Sequence, residues 1–79
     1  MTKLEIAQQI LEELERANTK YEPRFHSINE ALGTVYAEFC EMRNDIVGHE
    51  PVHKIRSEAV QVAAMCIKLI QFLDGKGVK

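Results

Sequence analysis

The sequence predicts an all-α chain of three helices. The second and third fold back as an antiparallel hairpin, and homo-oligomerisation completes a four-helix-type bundle. Three observations carry this expectation. Apolar residues recur at steps of three and four through three long stretches. Each of the two breaks between those stretches holds a proline, Pro23 or Pro51. Nowhere does a run of useful length alternate apolar and polar residues as a half-buried strand would, and there is no internal repeat or low-complexity segment.

The chain reads as one domain. At 79 residues it buries on the order of 60–65% of its unfolded surface, so a second copy would supply what a lone core lacks. With 46% hydrophobic and 28% charged residues, it has the composition of a soluble folded protein rather than a disordered one. A net charge of −2 leaves no basic footprint, which argues against a nucleic acid polymer as partner. No apolar run is long enough for a bilayer, and the opening MTKLEIAQQILEELER is too acidic for a signal peptide. A cytoplasmic protein without membrane contact is expected. Cys40 and Cys66 both fall among apolar residues of predicted helices, where two buried, reduced thiols are expected and a disulfide stays open.

The first helix is expected over 2–18. Thr2 and Glu5 form a capping box, and Leu4, Ala7, Leu11 and Leu14 make a narrow seam widened by Ile6 and Ile10. Glu12, Glu13, Glu15 and Arg16 read as the solvated side. Residues 18–26, NTKYEPRFH, break the pattern: Pro23 holds Glu22 extended, and Tyr21 and Phe25 are placed to pin the loop to the helices. Lys20 and Arg24 are a close pair of cations there, candidate phosphate contacts or simply solubilising charges.

The second helix, 27–46, starts at a capping box of Ser27 and Glu30. Ile28, Leu32, Val35, Phe39, Met42 and Ile46 make its apolar stripe, and Glu38, Glu41 and Asp45 make an acidic row on the shoulder of that stripe. Gly48 is the expected terminator, and Pro51 suits the first turn of the third helix, 52–73. That helix carries Ile55, Ala59, Val62, Met65, Cys66, Leu69, Phe72 and Leu73, with Ala63 and Ala64 as small contacts. Gln61 and Lys68 read as facing water or a partner, and 74–79 as a flexible tail. Core and interface are assigned mainly to Ile28, Leu32, Val35, Phe39, Met42, Val62, Met65, Leu69 and Phe72.

Two patterns bear on chemistry. His49-Glu50-Pro51-Val52-His53 is a literal H-E-x-x-H, but zinc proteases need that pentad on one continuous helix, and Pro51 breaks it. The match is read as a coincidence of composition. The second pattern joins two helices, Glu38-x-x-Glu41 on one and Glu58-x-x-Gln61 on the next. A hairpin turning near residue 49 brings the pairs level at about 1.5 Å of rise per residue. Three carboxylates so placed repel one another unless a divalent cation neutralises them. The alternative is that they pair at the surface with Arg43, Lys54 or Arg56.

At these residues the chain resembles a family. AEFCEM (37–42) and RSEAVQVAAMCIKLI (56–70), after a K-Y-x-P-x-F-like loop carrying Lys20, Tyr21, Pro23 and Phe25, resemble the all-α nucleoside triphosphate pyrophosphohydrolases. That superfamily includes MazG and the dimeric dUTPases, and the similarity is strongest to small phage-type members. It covers about residues 20–73. The family motif is E-E-x-x-E followed by E-x-x-D. Glu38, Glu41 and Glu58 match it, whereas Ala37 stands at the first Glu and Gln61 at the Asp.

The resemblance implies an Mg²⁺ cofactor, with Mn²⁺ as substitute, bound by Glu38, Glu41 and Glu58 with Gln61 as a weak fourth contact. It implies cleavage of a nucleoside triphosphate to monophosphate and pyrophosphate, with the same three carboxylates as the catalytic set, in a homo-dimer or homo-tetramer. Lys20 and Arg24 are the candidate substrate contacts. The departures at Ala37 and Gln61 leave a second expectation, a non-catalytic helical assembly or regulatory protein of phage or bacterial origin.

Overall fold

A computed structural model describes residues 1–75. It contains α1 (Lys3–Lys20), α2 (Ile28–Val47) and α3 (Val52–Gly75), and no strand among the described residues. The expected tail at 76–79 lies outside them, while Asp74 and Gly75 belong to α3.

The capping chemistry explains where each helix begins and ends. Thr2 and Glu5 close a complete box: the Thr2 hydroxyl accepts from the Glu5 N–H, and the Glu5 carboxylate accepts from the Thr2 N–H. At α2 the box forms by half. Ser27 accepts from the Glu30 N–H, but the Glu30 carboxylate reaches one residue further back, to the His26 N–H at 2.7 Å. That contact ties the loop to the helix start. Gly48 caps α2, yet the left-handed residue is His49, at φ 55°. Glu50 N–H donates to the Asp45 carbonyl and His49 N–H to the Ile46 carbonyl, the Schellman pattern with histidine in the place glycine usually takes. The Pro51 carbonyl then accepts from the Lys54 and Ile55 N–H groups in the first turn of α3.

The centre of the molecule is α3. Both α1 and α2 pack on it, and no Cα of α1 lies within 8 Å of a Cα of α2. Arg56 donates to Gln9 near the starts of α3 and α1, and Lys68 donates to the Glu22 carbonyl just past the end of α1. So α1 runs parallel to α3, and α2 returns antiparallel through the connector at 48–51.

The buried core is small: Leu14, Ala17, Phe25, Ala31, Ala64 and Met65, with Ile10, Val35, Ile67, Leu69 and Phe72 packed around it. The apolar stripe of α2 splits. Val35 and Met42 are half-buried, whereas Ile28, Leu32, Phe39 and Ile46 remain exposed. The face of α2 that meets α3 runs instead through Ala31, Glu38, Met42 and Asp45, roughly a quarter turn from the centre of the stripe. On α1 the seam is likewise displaced, to Ile10, Leu14 and Ala17, leaving Leu4 and Leu11 at the surface.

Candidate metal centre and the cleft beside it

The rotation of α2 turns its acidic row toward α3. Glu38 and Glu41 from α2 and Glu58 from α3 each offer one carboxylate oxygen, and the three oxygens lie within 4.8 Å of one another. One turn away, Lys54 reaches Asp45 at 3.8 Å and Glu50 at 3.3 Å, linking the end of α2 to the start of α3. The hairpin expected from the sequence therefore brings the three glutamates together.

Their surroundings are unfavourable for free carboxylates. Glu38 and Glu58 are half-buried, and one oxygen of each, Oε2 in both, is sealed from solvent without a hydrogen-bond partner. Desolvation raises the Glu38 pKa above the ordinary carboxylate range. The charges of Glu41 and Glu13 add to this, against relief from Arg16. Glu58 is raised as well, first by desolvation, then by the close approach of the Glu41 carboxylate, with the charges of Asp45 and Glu38 contributing less.

The expected surface partners are engaged elsewhere. Arg43 bonds Asn44, Lys54 bonds Asp45 and Glu50, and Arg56 bonds Gln9 and Met1. Among the described residues no lysine or arginine forms an ion pair with Glu38, Glu41 or Glu58. Three hard oxygen donors with no cation of their own suit Mg²⁺ or Mn²⁺ better than a soft metal. The two orphaned oxygens are an observation that such an ion would explain.

A cleft of about 500 Å³ adjoins the triad. It occupies the gap between α1 and α2, floored by Gln61, Met65 and Lys68 of α3 and closed at one end by Tyr21, Glu22, Arg24 and Phe25 of the loop. Glu38 belongs to both triad and cleft, and Gln61 lines the same cleft. Of the two candidate cations, Arg24 of the loop lines the cleft; Lys20, the last residue of α1, does not, its ammonium lying 5.5 Å from the Tyr21 ring centre. Ala37 is exposed on α2.

Lys68 departs from expectation. Read as facing water or a partner, it is 6% exposed, donates to the Glu22 carbonyl at 2.7 Å and sits 4.7 Å from the Phe25 ring centre. Its periodicity could have placed it: three residues after Met65 and four after Ala64, it continues the buried face of α3. Arg16, read on the solvated side of the first helix, is exposed there. Its guanidinium grips Glu13 through two bonds and lines the cleft opposite Glu38.

The H-E-x-x-H match is divided by the turn. His49 ends α2 in its left-handed position, Glu50 pairs with Lys54, and His53 opens α3. Both cysteines are free and half-buried. No helix among the described residues is long and apolar enough to cross a membrane. Models of protein families, curated proteins and solved structures offer no match to this chain.

Proposed function

We propose that this chain is a MazG-like nucleotide pyrophosphohydrolase that hydrolyses a nucleoside triphosphate to monophosphate and pyrophosphate with Mg²⁺. The observation that carries the reading is the triad: three carboxylate oxygens within 4.8 Å, two of the side chains each with a buried, unbonded oxygen. Glu38, Glu41 and Glu58 would hold the ion, with Gln61 as a neutral fourth contact. Bound there, the ion supplies Lewis-acid polarisation of a phosphoanhydride and activation of water. The residues of the chain do the rest. The cleft admits the nucleotide beside Glu38, and Arg24 offers charge to its phosphates from the loop. In this reading the enzyme works in the cytoplasm as a homo-dimer or homo-tetramer, whose interface covers the apolar side chains left exposed on α1 and α2.

Gln61 and Ala37 favour a second reading, a non-catalytic helical assembly or regulatory protein, because each stands where the resembled motif has a carboxylate. One comparison separates the two. Incubation of the purified protein with mixed nucleoside triphosphates and Mg²⁺ should release pyrophosphate, and Glu38→Gln/Glu41→Gln should reduce the rate at least a hundredfold. Pyrophosphate release that survives in the double variant would remove the triad from the chemistry. No release with any nucleotide would leave the assembly reading.

A further inference from the structure

The cleft has a second pole, opposite in charge to the triad. Lys68 is 6% exposed, and among the described residues no carboxylate lies within 4.0 Å of its ammonium. An ammonium has three N–H donors. One meets the Glu22 carbonyl and one side faces the Phe25 ring, so among the described residues a carbonyl dipole and a ring face are what answer a buried charge. Buried charges ordinarily sit against an opposite charge, because desolvation is otherwise uncompensated. Arg24 is next to it in the wall and likewise forms no ion pair among the described residues. Arg24, Phe25 and Lys68 also line a second cavity of about 450 Å³, so this wall is open on two sides.

The acidic side chains of the cleft do not fill the role. Glu13 is held by Arg16, and the Glu30 carboxylate accepts from the His26 N–H. Glu22 meets Lys68 through its backbone carbonyl, and Glu38 belongs to the triad. Along α3, Lys68 follows Glu58 of the triad by ten residues, about 15 Å of helix rise. An anion reaching from a cation at the triad to Lys68 must span that distance. A chain of linked phosphates extends along it, and a single orthophosphate does not.

We propose that Lys68 and Arg24 form an anion-anchoring subsite that receives the distal phosphate of a polyphosphate-bearing ligand. Only the naming of the anion as phosphate rests on the hydrolase reading; the need for an anion rests on the burial of Lys68. The test is calorimetric titration of inorganic tripolyphosphate without divalent cations, at low ionic strength, into the native chain, Lys68→Met and Arg24→Gln. Circular dichroism confirms that each variant is folded. Native protein should bind one tripolyphosphate per chain, Arg24→Gln about fivefold more weakly, and Lys68→Met at least tenfold more weakly. Arg24 is exposed, so its variant tests the subsite even if Lys68→Met loosens the loop. Equal binding by native and both variants, or no saturable binding by native protein, would overturn the proposal. Lys68-dependent binding without hydrolysis of any nucleotide would keep the subsite and remove the hydrolase reading. Hydrolysis with KM unchanged in both Lys68→Met and Arg24→Gln would do the reverse.

Discussion

At the scale of single residues, the triad stores a cost that a bound cation would relieve. Both raised carboxyls, Glu38 and Glu58, bind protons more readily in the folded chain than in the unfolded one. The linkage sign follows: the native state holds more protons than the unfolded state between the unfolded value of 4.5 and the raised folded values. Stability of the metal-free protein therefore falls as pH rises through that window and is recovered on acidification into it. Thermal melting across this range should show the trend, and millimolar Mg²⁺ at neutral pH should reverse much of the loss. Glu58→Gln removes one of the repelling charges. Its metal-free melting temperature at neutral pH should rise on the order of 3 °C, and the added stabilisation by Mg²⁺ should shrink. A fall in melting temperature, with the Mg²⁺ response intact, would mean that Glu58 is structural and not a ligand.

At the scale of elements, α3 is the helix on which the fold depends, because it alone touches both neighbours. Ala64 is fully buried and Met65 and Lys68 nearly so, with half-buried residues filling most of the run between Val60 and Leu69. Small side chains at the contacts allow this close approach; Ala31 of α2 is also fully buried. Ala64→Leu inserts a branched side chain where nothing can recede, and should destabilise the chain by about 1–3 kcal/mol. Chemical denaturation read by circular dichroism checks this, and an unchanged midpoint would show the helices free to spread.

Helix existence, the two breaks and the level of the glutamates were legible because periodicity, proline placement and rise per residue are local properties. The facing of α2 was not. Sequence reading turns the most apolar stripe inward, but here the inward face carries Glu38 and Asp45, while Ile28 and Leu32 look outward. Lys68 escaped for the same reason: a charge is read as solvated until a carbonyl and a ring are found to hold it. The histidine in the left-handed position at the end of α2 was equally hidden, since Gly48 next to it is the residue that invites that role.

At the scale of the whole molecule, the same outward stripe argues that one chain is half of something. Leu32 is 65% exposed, Tyr36 64% and Phe39 44%, and they neighbour one another on α2. Leu4 and Leu11 add exposed apolar surface on α1. The accessible area of 5902 Å² is about 1,000 Å² more than the roughly 4,900 Å² of a folded monomer of 9.0 kDa. A stable interface covers about 800 Å² on each partner, so covering this surface is of the right order. Charged residues at the centre of the stripe should then split the oligomer without touching the intrachain core. Light scattering coupled to size exclusion should give the native protein a mass of at least two chains, and Leu32→Asp/Phe39→Asp should reduce it to one. Both side chains are already largely exposed in the single chain, so the variant should keep its helical circular dichroism. A native protein that is monomeric at all concentrations would leave the exposed stripe without a self-association role, and the small core would have to stand alone.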